Sequence, residues 1–203
     1  MTENTEYRCP VCNEPLARYG NRELRDGCLC RNCVKLLSPF LSEKETAEKT
    51  AAEIKAHLDY RESNRKKIRD FLTTRKVEGK YNLLLDEVND AFLFSKRKDI
   101  KRENPDVLRK EEVKSISIKE VPYQNNWKQA DILLEVEVDS PYLSKVSFPV
   151  NEFPGLERNS DEFIKASALA VTYKQNLISF LAVDNTAMKE LREKWYEEGG
   201  LEE

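Results

Sequence analysis

Two pairs of cysteines carry most of the chemistry open to this chain. Cys9-Pro10-Val11-Cys12 and Cys30-Arg31-Asn32-Cys33 read C-x2-C, seventeen intervening residues, then C-x2-C. Two residues between cysteines let the backbone turn tightly enough for both thiolates to reach one ion at about 2.3 Å, and two such knuckles complete a tetrahedron. The expected ligands are therefore Cys9, Cys12, Cys30 and Cys33, and the expected cofactor is zinc, although iron fits the same four sulfurs. Four protein ligands leave no open coordination position, so the metal is expected to be structural rather than catalytic. Its work is folding, because so short a segment buries little apolar surface, whereas zinc contributes about 10–16 kcal/mol in finger peptides.

The fifth cysteine complicates the ligand choice. Between the knuckles, Arg22-Glu23-Leu24 and Cys28-Leu29-Cys30 flank Asp26-Gly27, a favoured tight-turn dipeptide, so a hairpin is expected to bring the second knuckle to the first. In a regular second strand Cys28 faces the same side as Cys30, roughly 7 Å along the chain. Paired with Cys33 it gives C-x4-C, which zinc sites also tolerate, so Cys28 competes with Cys30 for one position. The odd count of five cysteines and the acidic, polar start Thr2-Glu3-Asn4-Thr5-Glu6 argue for reduced thiols in the cytoplasm rather than an exported disulfide scaffold.

Other chemistry is sparse. The single histidine, His57, falls in a helical pattern and reads as a helix residue rather than a fifth ligand. No nucleophile with a base and no phosphate-cradling glycine loop emerges, and a non-enzymatic protein is expected. Asp86 and Glu87 read as solvated carboxylates of a hairpin turn. Tyr123, Trp127 and Tyr142 read as core or loop anchors, with the anchoring of a partner as the alternative. The formal net charge of −3 gives no global attraction to nucleic acid or anionic lipid. The basic runs Arg61–Arg69 and Lys96–Arg102 read as solvated faces, with nucleic-acid binding by the first run as the competing reading. No apolar stretch approaches the roughly 18–20 residues that span a bilayer.

Three regions are expected to position these groups: a zinc-ribbon-like module over 1–40, a helical connector over 41–76, and a β domain with C-terminal helices over 77–203. Ser42 and Glu45 form a capping box for a helix starting near 43, with Ala47, Ala51, Ile54 and Leu58 on one stripe. That stripe fails at Arg61 and Arg65 and resumes at Ile68, so either one helix loses its seam or a second begins. From Tyr81 the period becomes that of strands, with a hairpin of Tyr81–Leu85 and Ala91–Phe94, then strands at Val113–Val121, Ala130–Val138 and Lys145–Val150. Ser160 caps a helix whose face is Phe163, Ala170, Tyr173, Leu177 and Leu181, and a last helix carries Met188, Leu191 and Trp195. The class is α+β. Strands in succession followed by a helix suggest, by fold analogy, an antiparallel sheet or barrel like a pleckstrin-homology domain.

Cys9-Pro10-Val11-Cys12, Leu24-Arg25-Asp26-Gly27 and Cys30-Arg31-Asn32-Cys33, followed by a polar helix, resemble an uncharacterised bacterial family. Its members begin with a four-cysteine, zinc-ribbon-like domain of unknown function, often with a Leu-x-Asp-Gly step before the second knuckle. The pieces Leu85-Asp86-Glu87, Glu103-Asn104-Pro105-Asp106-Val107 and Ser140-Pro141-Tyr142-Leu143 resemble the strand-rich region that commonly follows. The family usually shows an aromatic or aliphatic residue where Cys28 stands, so the resemblance implies ligands at Cys30 and Cys33. It also implies a phage or defence connection, because such proteins occur in bacterial genomes and prophages. The resulting expectation is a zinc-binding adaptor or regulatory protein acting on a protein partner. The alternative is a nucleic-acid-binding protein using the zinc module and the 61–69 helix.

Overall fold

The computed structural model describes residues 8–184, and the chain divides between Lys67 and Ile68 into two compact units. The expected last helix, with Met188, Leu191 and Trp195, lies outside the described residues.

In the first unit, Arg8 and Pro15 bridge the arms of the first knuckle. Strands β1 (Arg22–Leu24) and β2 (Gly27–Leu29) form the expected hairpin, but its register pairs Leu24 with Gly27, so Arg25 and Asp26 make the turn instead of Asp26 and Gly27. Gly27 does not have a positive φ. What the position requires is space, since a Cβ there would stand 3.2 Å from Cγ of Pro10 in the first knuckle.

Cys30 is the N-cap of the single-turn helix α1 (Arg31–Val34). The Ser42 and Glu45 capping box forms as expected, yet its helix α2 (Glu43–Ala47) has only five residues. A second start at Thr50 opens α3 (Ala51–Asp70): Glu53 accepts from the Thr50 amide at 2.7 Å, and its own amide donates to the Thr50 hydroxyl at 3.3 Å. The single helix expected from residue 43 is thus two helices. The second runs unbroken through Arg61 and Arg65. Its buried positions are Ile54, His57, Tyr60, Arg61, Asn64 and Ile68, a stripe at helical spacing in which three members are polar. Arg61 donates to the Leu36 carbonyl at 3.4 Å, and His57 Nε2 accepts from the Ser38 amide at 3.1 Å. Hydropathy loses the seam where side-chain hydrogen bonding continues it.

The second unit is antiparallel throughout its described sheets. Strands β3 (Arg75–Val77), β4 (Asn82–Asp86), β5 (Ala91–Ser95) and β6 (Leu108–Arg109) pair in that order, with the short helix α4 (Ile100–Glu103) between the last two. After a 3-10 turn, β7 (Val113–Tyr123) and β8 (Asn126–Val138) form a long hairpin. Gln124 and Asn125 make its turn with φ of 48° and 60°, the left-handed conformation that tight hairpins favour. Strands β9 (Lys145–Pro149) and β10 (Leu156–Glu157) occupy successive stretches of the other edge of β8. Among the described residues these are two separate four-stranded sheets, not a closed barrel.

Helix α5 (Asp161–Ala182) starts at Ser160, whose hydroxyl accepts from the Phe163 amide at 3.2 Å. Its buried stripe is Ala166, Ala170, Tyr173, Leu177 and Phe180, while Phe163 and Leu181 are only half-buried. The helix packs on β7, β8 and β10 of one sheet and on β3 of the other. Phe92 and Phe94 of β5, Phe148 of β9, and Tyr173 and Phe180 of α5 meet at steep ring angles with centroids 4.8–6.3 Å apart. The Tyr173 hydroxyl donates to the Tyr81 carbonyl. On the opposite face of the β4–β5 hairpin, Leu84, Ala91 and Leu93 pack with Ile68 and Val107. Both faces are covered, which is why this hairpin reads as apolar runs rather than as clean alternation. No helix among the described residues is long and apolar enough to cross a membrane.

Candidate metal centre

The two knuckles converge. Among the described residues, Cys9, Cys12, Cys30 and Cys33 are gathered closely enough to hold a metal ion, with all four sulfurs within 4.8 Å of one another. Cys9 and Cys33 sulfurs are 3.9 Å apart and those of Cys12 and Cys30 are 3.5 Å apart. Sulfurs about 2.3 Å from one ion at tetrahedral angles stand about 3.8 Å from each other, so the two edges bracket the size a metal requires.

Local backbone geometry builds each knuckle. The Cys9 amide donates to the Glu14 carbonyl at 2.9 Å and the Asn13 amide to the Cys9 carbonyl at 2.8 Å, with Asn13 at φ 60° completing the turn. On the other side the Val34 amide donates to the Cys30 carbonyl at 3.0 Å and the Leu36 amide to the Cys33 carbonyl at 3.0 Å.

The sulfurs do not share one electrostatic environment. Burial raises the Cys9 thiol, but the amides of Cys30, Cys12 and Val11 outweigh it and bring the group from 9.0 down to about 7. Burial, then the sulfurs of Cys12 and Cys30, push Cys33 far up. Cys12 is also raised, first by loss of water around its sulfur. Four thiolates in so small a space repel one another, and a divalent cation is the group that lets all four ionise. Amide donors aimed at sulfur and an all-thiol donor set fit such an ion.

Cys28 is not part of the cluster. Strand β2 ends at Leu29, so Cys30 leaves the strand as a helix cap and the shared face expected for Cys28 and Cys30 never forms. Cys28 sits half-buried opposite Glu23, its thiol pushed up by burial and then by that carboxylate.

The turn between the knuckles has a second task that spacing alone did not reveal. Asp26 accepts from the Ala51 amide at 2.8 Å, Arg25 donates its amide to the Lys49 carbonyl at 2.9 Å, and Arg25 pairs with Glu53 at 3.3 Å. Leu24 is buried. The Leu24-Arg25-Asp26-Gly27 step thus supplies a core residue, a helix-start acceptor and the gap for Pro10. The Asp26-Gly27 dipeptide signalled the turn, and the family resemblance was the signal for the step as a whole.

The remaining candidates lie elsewhere. His57 is buried in α3, outside the cluster. Asp86 is fully buried rather than solvated: it accepts from the amides of Leu72, Val88 and Asn89 and from the Asn89 side chain, at 2.6–3.2 Å, and so ties the β4–β5 turn together. Glu87 pairs with Arg75 at 3.0 Å. Trp127 is 73% exposed next to the β7–β8 turn, and Tyr123 and Tyr142 are half-buried. Of the basic run, Arg61 is buried and Arg65 pairs with Glu62 at 3.0 Å.

No curated protein and no solved structure gives a significant match to the chain. Residues 7–57 match the model of a family described as a domain of unknown function, DUF4428. The matched stretch holds both knuckles, the hairpin and the start of α3, so the chain is similar to that domain across the residues that build the cysteine cluster.

Proposed function

We propose that the first unit is a structural zinc module in a non-enzymatic protein whose second unit, a pleckstrin-homology-like domain, presents its surface to a protein partner. The observation that carries the zinc reading is the convergence of four thiol sulfurs within 4.8 Å. Zinc suits a folding role because it has no redox chemistry and accepts a closed tetrahedron of thiolates. The pleckstrin-homology-like reading is supported by the element order, an antiparallel meander, a second antiparallel sheet and then one long helix packed on both. The partner reading is supported by large apolar side chains left in water: Trp127, Phe153, and Ile164, Val171 and Ile178 at seven-residue steps along α5.

Nucleic-acid binding has less behind it, since burial of Arg61 and pairing of Arg65 break up the basic run. A gel shift that weakens with salt and vanishes on reversing Lys66 and Arg69 would turn the reading that way.

The zinc reading is tested by measuring metal per chain in wild type and in each Cys→Ser variant. One zinc per wild-type chain is expected, kept by Cys28→Ser and lost from the other four variants. Wild type that holds no metal after purification under reducing conditions overturns it.

A further inference from the structure

Exposure of the four clustered cysteines is unequal. Cys9, Cys30 and Cys33 are 1%, 3% and 4% exposed, whereas Cys12 is an exposed residue whose sulfur is partly desolvated. The Cys12 sulfur also stands 3.5 Å from that of Cys30, nearer than the 3.9 Å that separates Cys9 from Cys33. A disulfide needs an S–S distance of about 2.0 Å, so the exposed ligand has a buried neighbour within a short approach.

We infer that Cys12 is an oxidative modification site of the metal centre, where hydrogen peroxide links Cys12 to Cys30 and releases the ion; this rests on the zinc reading above. In the first step the Cys12 thiolate attacks one peroxide oxygen. An S–O bond forms, the O–O bond breaks and hydroxide leaves, which makes Cys12 a sulfenic acid. In the second step the Cys30 thiolate attacks the Cys12 sulfur. The S–S bond forms, the S–O bond breaks and a second hydroxide leaves. The two thiolates together lose two electrons, the peroxide gains two, and two protons from solvent convert both hydroxides to water. Cys9 and Cys33 alone are too few to close a tetrahedral site, so the metal departs. Cys28, half-buried and outside the cluster, takes no part.

The test uses the full chain loaded with zinc, treated with hydrogen peroxide beside a colorimetric zinc indicator, with disulfides mapped by mass spectrometry. One zinc is expected to leave per chain as a Cys12–Cys30 disulfide forms, with the same outcome in Cys28→Ser. In a brief exposure to iodoacetamide instead, Cys12 should be labelled before the other three ligands, following its exposure. Zinc retained under peroxide, a first disulfide joining Cys9 to Cys33, or one containing Cys28 overturns this inference alone. A chain that holds no zinc at the outset overturns the zinc reading together with it.

Discussion

Apart from α3, the first unit is built from strands of three residues and helices of four or five, whereas the second has β8 of thirteen residues and α5 of twenty-two. Their interiors differ in the same sense. In the second unit a contiguous aromatic core joins both sheets to α5, and burying such side chains is the ordinary source of stability. In the first, three of the most buried side chains are cysteines gathered in one cluster, and the stripe along α3 is partly polar. On the proposed zinc reading, one unit is held by packing alone, and the other adds to a smaller apolar core a point where four sulfurs meet. Unlike packing, that point can be removed at a stroke.

The largest break in this contrast should come from Cys33→Ser. Loss of one ligand takes away much of the about 10–16 kcal/mol that zinc supplies in comparable modules, so backbone resonances of the first unit should collapse in two-dimensional NMR while those of the second persist. Phe94→Ala should do the converse. Phe94 is 1% exposed among Phe92, Phe148 and Tyr173, and truncation should cost about 3–5 kcal/mol in chemical denaturation with metal content unchanged.

Smaller substitutions sharpen the picture. Asp26→Ala removes the acceptor for the Ala51 amide and should destabilise the zinc-loaded first unit by about 1 kcal/mol, seen as faster exchange of the first α3 amides. The smallest effect is a pH dependence in the second unit. A hydrogen bond from Lys119, outweighing the penalty of burial, holds the Glu135 carboxyl below its ordinary value, with Lys145 and Ser147 adding to it. Because the folded value is the lower one, this stabilisation is full above the ordinary glutamate value and fades as pH falls through the folded value. Glu135→Gln should flatten the denaturation midpoint across that acid window and leave it parallel to wild type at neutral pH.

What the sequence revealed of each unit follows the range of the interactions involved. The cysteine spacing was legible because each knuckle closes within four residues, and its chemistry depends on residue type alone. Strand β8 and helix α5 were legible because long elements repeat their burial at a fixed period, and the β4–β5 hairpin because two apolar runs flank a polar turn. The strands β3, β6 and β10, two or three residues each, carry no period and exist only through their partners. The break between α2 and α3 was hidden because Thr50 and Glu53 followed a stripe that already looked continuous. Arg61 and Asp86 were misleading for one reason: their burial is compensated by hydrogen bonds to groups elsewhere in the chain. The choice between Cys28 and Cys30 turned on where β2 ends, a single residue that spacing does not fix.

The most direct test of the contrast is amide hydrogen exchange on the zinc-loaded full chain before and after chelation. Protection is expected to vanish across the knuckles, the β1–β2 hairpin and the start of α3, while β4, β5, β8 and the buried stripe of α5 stay protected. Protection of the first unit that survives verified removal of the metal, or that falls equally in both units, would contradict it.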